Sequence, residues 1–353
     1  MSLCLTTRIR TGQIRTGALA GALAAQMLLA PAAGAATTLT LSNWLPPKHV
    51  IVAEMMVPWI NAVKKATEGR IEVKILPKPL GKPPAHYDIA REGTADLTYG
   101  IHGYQPGRFL LTSVTEMPFL GNDAEHISLA YWRTYEKLMA KAGEHRDVKL
   151  LGLFTHGPGH IMNVKSKEIT ALSQLKDMKM RIGGGIVKQV TANFGIAQMF
   201  MPAPAVYEAL TRGVADGVMF PLEAIDGFKL EKTVTNVTRI DGGLYNTSFF
   251  FVMNKARWES LSAADRSAID SVSGPVFSQL AGKAFQARDI AGEKKLLANG
   301  GTITNAPAAM LDKIRGFAAG VEAGWAKQTA KKGVDGAAAL AAMRAEIKKL
   351  AGQ

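Results

Sequence analysis

Residues 178–201 read Met178-Lys-Met-Arg-Ile-Gly-Gly-Gly-Ile-Val-Lys-Gln-Val-Thr-Ala-Asn-Phe-Gly-Ile-Ala-Gln-Met-Phe-Met201. The first five alternate apolar with basic residues, as a strand with one buried face does. Three glycines then make a turn, residues 186–194 return to helical apolar spacing, and 198–201 read as a second short strand. A strand, a helix and a strand in so short a stretch form a βαβ unit. That unit calls for parallel strands in a sheet covered by helices.

The same rhythm continues on both sides. Upstream, strand-like segments at 38–42, 71–76, 96–101 and 148–154 alternate with helix-like segments at 51–67, 85–92 and 124–142. Downstream, a helix at 205–212 is stopped by Gly213, and a strand at 217–220 leads into another helix. Residues 247–253, rich in Phe and Val, read as one fully buried strand. It is long enough to cross between two domains, which makes it a hinge candidate. Ser262, with Asp265 three residues on, starts a long helix to about residue 298 that Pro275 should kink or break. Alanine-rich helices at 307–331 and 337–350 follow. The fold class is α/β.

The first 35 residues have the grammar of an export signal peptide. Arg8, Arg10 and Arg15 accompany an apolar stretch from Gly17 to Ala30 that is too short for a membrane span, and Ala33-Gly34-Ala35 invites cleavage after Ala35. The single cysteine, Cys4, lies inside this segment, so the exported chain should hold no disulfide and no thiolate metal site. Removing a segment with three arginines and no acidic residue leaves 318 residues and lowers the net charge from +13 to +10. That length suits two domains. With no linker and no fixed-period repeat, they should interleave: domain I at 36–153 plus 247–285, domain II at 154–246 plus 286–353. The positive charge favours anionic solutes. No basic run interleaved with aromatics suggests nucleic acid.

Five segments in order resemble the DctP-type solute-binding proteins of TRAP (tripartite ATP-independent periplasmic) transporters. They are Ala66-Thr-Glu-Gly-Arg-Ile-Glu-Val73, Arg91-Glu-Gly-Thr-Ala-Asp-Leu97, Met178-Lys-Met-Arg-Ile182, Val206-Tyr-Glu-Ala-Leu-Thr-Arg-Gly-Val-Ala-Asp-Gly217 and Phe251-Val-Met-Asn254. The resemblance implies a two-domain, type II-like periplasmic binding protein fold, with crossing hinge strands, a long spanning helix and a ligand held between the domains. It also implies a monomeric periplasmic receptor that delivers a small organic carboxylate to transporter membrane subunits. No catalytic residue, cofactor or metal is expected.

In this family the arginine at the place of Arg181 makes a bidentate salt bridge to the ligand carboxylate, which suits a planar guanidinium. Gly183 begins the turn into the next helix, whose first N–H groups could add donors to the same anion. The family's Asp-Gly-x-x-Asn-Pro pattern appears here as Asp216-Gly-Val-Met-Phe-Pro221, with Phe220 in place of the asparagine. A second arginine, common near the position of Phe154, is missing. Both departures disfavour a C4-dicarboxylate or sialic acid and point to one carboxylate on an aromatic or hydrophobic body. Trp44, Phe220 and Phe249 are candidate walls, and strand alternation lets only one of Phe249 and Phe250 face the ligand. His102 and Tyr104, in the loop after 96–101, and His156, where the chain should enter the second domain, are candidate polar contacts. Glu223 reads as solvated or structural.

Two other readings stay open: the receptor of an ATP-driven importer, and an exported enzyme acting on an anionic metabolite. The second lacks an HExxH motif, a GxSxG elbow or a Cys cluster. Gly183–Gly185 also lack the rest of a dinucleotide fingerprint.

Overall fold

The structure is a computed structural model describing residues 1–9, 36–165 and 167–352. The expected signal peptide lies mostly outside the described residues. The chain proceeds through β1 (Thr37–Ser42), α1 (Val57–Ala66), β2 (Ile71–Ile75), α2 (His86–Arg91), β3 (Leu97–Ile101), α3 (Ala124–Leu138) and β4 (Val148–Thr155). It continues with β5 (His160–Asn163), β6 (Lys179–Ile182), α4 (Ile186–Thr191), β7 (Ala197–Phe200), α5 (Val206–Thr211), β8 (Gly217–Phe220), α6 (Glu223–Gly227) and β9 (Asn236–Arg239). It ends with β10 (Ser248–Asn254), α7 (Lys255–Glu259), α8 (Ala263–Ser271), α9 (Pro275–Ala298), β11 (Thr302–Asn305), α10 (Ala308–Ala330) and α11 (Gly336–Leu350).

Two mixed sheets organise these elements into two lobes, as the α/β reading expects. One sheet has the order β2-β1-β3-β10-β4 and the other β11-β9-β5-β8-β6-β7. Residues 178–201 form β6, α4 and β7, with β6 parallel to both β7 and β8. β5, β9 and β11 carry no clear period. Each is four residues long, and side chains across the sheet specify their pairing: Asn236 Nδ2 donates to the hydroxyls of Thr302 and Thr304.

The buried run became β10, antiparallel to β3 and β4 and wholly inside the first sheet. It does not itself cross between the lobes. The chain crosses just after β4, through Gly157-Pro158-Gly159, and returns through residues 240–247. These two crossings are bonded to each other: Gly159 N–H donates to Tyr245 O (2.8 Å) and Leu244 N–H to Gly159 O (2.9 Å). Asn246 Nδ2 adds bonds to the carbonyls of His156 and Gly157.

A third connection is α9. The helix expected from 262 to 298 is broken at Gly274, which has a φ of 59°, and Pro275 begins α9 at the first-turn position where its missing N–H costs nothing. Its 24 residues extend about 36 Å. Gly282 and Gly292 let it lie flat on both lobes. A Cβ at 282 would fall 2.5 Å from Ala124 O at the start of α3, and one at 292 would fall 2.0 Å from Leu222 O beside α6.

Candidate ligand-binding site

Parallel strands deliver loops to one end of a sheet, and ligands favour the crevice beyond those ends. Here the segments following β1, β3, β6 and β8 meet around a cavity of roughly 450 Å³, solvent-facing part included. Trp44, Tyr104, His156, Arg181, Gly183, Phe220 and Phe249 all line it. The sequence-derived candidates therefore converge, with His102 the exception.

Arg181 is 2% exposed. Its Nε and Nη2 both donate to Met201 O, at 3.0 and 2.8 Å, and its guanidinium carbon lies 4.5 Å from the centre of the Phe220 ring. Among the described residues, no carboxylate lies within ion-pair distance of it. Gly183 packs directly over the guanidinium, where a Cβ would come within 3.5 Å of Nη2.

The walls are aromatic. Phe220 stacks on Phe228 with centroids 5.5 Å apart, and Phe249 stacks on Phe154 at 5.0 Å. Trp44 packs against Tyr99 and Tyr104 and donates from Nε1 to Tyr99 O. Phe154 itself is fully buried behind Phe249. Phe250 points to the opposite face of the sheet, over Gly100, so strand alternation separates the two neighbours.

His156 is buried, and Nδ1 lies 2.6 Å from Gly157 O. A carbonyl only accepts, so Nδ1 carries the proton and Nε2 is left as an acceptor. Burial holds this imidazole down to about 4, hence neutral at physiological pH. Tyr104 ties the lobes together, its hydroxyl accepting the N–H of Ala203 at 2.8 Å. The lobes also touch at Gly103 and the Gly184–Gly185 turn, where a Cβ at 184 would fall 2.7 Å from Gly103 O.

Two expectations are placed differently. The loop after β3 curls into a tight turn that sends Tyr104 to the cavity and His102 to the interior. There His102 Nδ1 lies 2.7 Å from Ser248 Oγ and Nε2 lies 2.9 Å from His145 Nε2, beside a separate, larger groove. Ser248 is fully buried and also meets Tyr131 OH, so this serine and imidazole form an internal network without substrate access. At the start of α4, the Ile186 N–H donates to Glu116 Oε2 at 2.9 Å, and Gly184 and Gly185 line that second groove. The helix start is thus directed at a protein carboxylate.

His49 and Glu223 line the cavity as well. Glu223 is only 6% exposed, so of the two alternatives its sequence left open, solvated or structural, the solvated one does not hold. Burial, reinforced by the charge of Asp289, pushes its carboxyl up to about 8. Both residues follow strands, β1 and β8, by a few positions, so the strand-end logic that selected Trp44 could have found them.

Residues 41–329 match the family described as bacterial extracellular solute-binding protein, family 7, the DctP family. The chain belongs to this family. Three solved structures illustrate it, each a TRAP solute-binding protein. One from Bordetella bronchiseptica, with bound (R)- and (S)-mandelate, is 39% identical over 89% of this chain and 99% of its own, at a TM-score of 0.86. A marine metagenome protein specific for aromatic acid ligands, in complex with metahydroxyphenylacetate, is 33% identical over 89% and 99%, at 0.82. One from Rhodoferax ferrireducens, in complex with copurified benzoate, is 32% identical over 90% and 99%, at 0.82. DctP-family members are extracytoplasmic solute receptors. Among the described residues of this member, no helix is long and apolar enough to cross a membrane.

Proposed function

We propose that this DctP-family member is the periplasmic receptor of a TRAP transporter for an aromatic monocarboxylate. One observation carries the reading: Arg181 is a buried guanidinium with no carboxylate partner among the described residues, at the wall of an aromatic-lined cavity. A buried charge is costly unless paired, and a ligand carboxylate supplies the missing partner. The ring packs among Trp44, Phe220 and Phe249, with Tyr104, His156 and Gly183 beside the carboxylate. The ring-bearing acids held by the three solved relatives support the same ligand class.

Binding closes domain I (36–153 plus 247–285) on domain II (154–246 plus 286–353) about the paired crossings and α9. The closed monomer then docks on the membrane subunits and releases its cargo unchanged, without catalysis, cofactor or nucleic acid. Thermal unfolding against benzoate, mandelate, phenylacetate, succinate and acetate tests this. A ligand at 100 times its dissociation constant adds about 2.7 kcal/mol of stability. Stabilisation by the aromatic acids alone is expected, whereas stabilisation by succinate alone would refute the ligand class.

A further inference from the structure

Two buried polar atoms of the cavity lining have no hydrogen-bond partner among the described residues: His49 Nε2 and Glu223 Oε2. The residues are 5% and 6% exposed. They face one gap. A Cβ at Gly227 would lie 3.0 Å from Glu223 Oε2 and 3.5 Å from His49 Nε2, so the missing side chain at 227 keeps the space between them open. Buried polar groups in folded proteins are almost always paired, and two neighbouring orphans on residues that line one cavity call for a common partner.

Their chemistry specifies that partner. The Ile51 N–H points at His49 Nδ1 (3.3 Å), which makes Nδ1 an acceptor and puts the ring proton on Nε2. His49 therefore presents a donor, and the Glu223 carboxyl presents an acceptor oxygen. A hydroxyl satisfies both at once, accepting from the imidazole and donating to the carboxyl. An ammonium only donates and would oppose the His49 N–H. A second carboxylate would bring a negative charge into a site where burial already favours the neutral form of Glu223.

Position follows from a row of rings. Arg181 lies over Phe220, Phe220 stacks on Phe228, and Phe228 meets His49 with centroids 5.2 Å apart. Arg181 and His49 are the two ends of that row.

We propose that His49 and Glu223 form a second subsite of the cavity, which takes a ring hydroxyl of the ligand remote from the carboxylate at Arg181. The proposal rests on the aromatic carboxylate reading above and narrows it to meta- or para-hydroxylated acids. An ortho hydroxyl stays beside its own carboxylate and does not reach the pair.

The test is the ratio of affinities, by titration calorimetry, for benzoate and for 2-, 3- and 4-hydroxybenzoate. The wild-type protein is expected to bind the 3- or 4-isomer at least tenfold more tightly than benzoate or the 2-isomer. In His49→Phe and Glu223→Leu that ratio falls to about one, whereas Glu223→Gln, which keeps an acceptor oxygen, retains it. A general packing defect lowers all four affinities together and leaves the ratio alone. Equal wild-type affinity for benzoate and its 3- and 4-hydroxy forms overturns the proposal, marking the gap as a water site, and does so even if a variant fails to fold. A ratio that survives both substitutions also overturns it. Binding of none of the four acids removes the carboxylate reading, and the subsite with it.

Discussion

The guanidinium carbon of Arg181 lies over the ring of Phe220, 4.5 Å from its centroid, while its Nε and Nη2 are bonded to Met201 O. The ring and the carbonyl together hold the guanidinium in one orientation. Phe220 also occupies the place where the family resemblance expects asparagine, so one substitution sets both the orientation of the anchor and the polarity of the wall.

Phe220→Asn therefore exchanges an apolar wall and a cation–π contact, about 0.5–2 kcal/mol for such a contact, for an amide. Affinity for benzoate should fall roughly tenfold or more, measured by titration calorimetry. An unchanged affinity would show that the ring lies outside the binding surface.

Glu116 accepts the N–H of Ile186 through Oε2 and that of Ser248 through Oε1, linking the turn after β6 to the start of β10. Burial pushes its carboxyl up to about 7. Glu116→Ala strands both buried donors, and at about 1–3 kcal/mol each the loss should total roughly 2–6 kcal/mol in urea unfolding. A loss below about 1 kcal/mol would mean water replaces the carboxylate.

Gly103 meets the Gly184–Gly185 turn across the cleft, with a Cβ at 103 falling 3.1 Å from Gly185 N. Gly103→Val should hold the lobes apart. Ligand affinity is expected to drop at least tenfold, with small-angle scattering showing no compaction on addition of benzoate. Normal compaction in the variant would place the closure contact elsewhere.

Stability should peak near pH 6.5. Burial holds His49 and His156 down to about 4, and His145 and His160 down to about 3. The unfolded chain takes up these protons near 6.5 and the folded chain refuses them, so stability falls as pH drops from 6.5 towards 3. Burial pushes Glu116 and Asp289 up to about 7 and Glu223 up to about 8. Their contribution is complete below about 4 and is lost as pH rises towards 8. Four histidines outweigh three carboxyls below 6.5, and above it only the carboxyls still titrate. Urea midpoints at pH 4.5 and 8.5 should both lie below that at 6.5, and a monotonic profile would contradict these assignments.

The particular residues explain how much could be read in advance. The alternation around Arg181 and the glycines after it were enough to place a strand, a turn and a helix, although β6 buries Arg181 as well as Met180 and Ile182, where alternation alone suggests one solvated face. The buried run at β10 was equally plain, but its partners were not. Antiparallel pairing with β3 and β4 is a long-range outcome, so the crossing was placed one segment too late. Four-residue strands such as β9 and β11 have too few residues to show a period. His102 and Tyr104 sit two residues apart in a turn, and sequence spacing does not show which one points at the cleft. Glu223 stays open between a solvated and a structural role in the sequence, because a carboxylate is normally solvated. Its place just after β8 marks it as near the strand ends, and the fold turns it inwards beside His49.

The central claim is that Arg181 anchors a ligand carboxylate. The most direct measurement is the calorimetric affinity of the wild-type protein, Arg181→Lys and Arg181→Ala for benzoate, with circular dichroism to verify that each variant is folded. Removing the partner of a desolvated carboxylate costs roughly 2–5 kcal/mol, so Arg181→Ala should bind at least about 30-fold more weakly. Arg181→Lys, which keeps the charge but not the planar fork, should lie between. A folded Arg181→Ala protein that binds benzoate as tightly as the wild type would contradict the account.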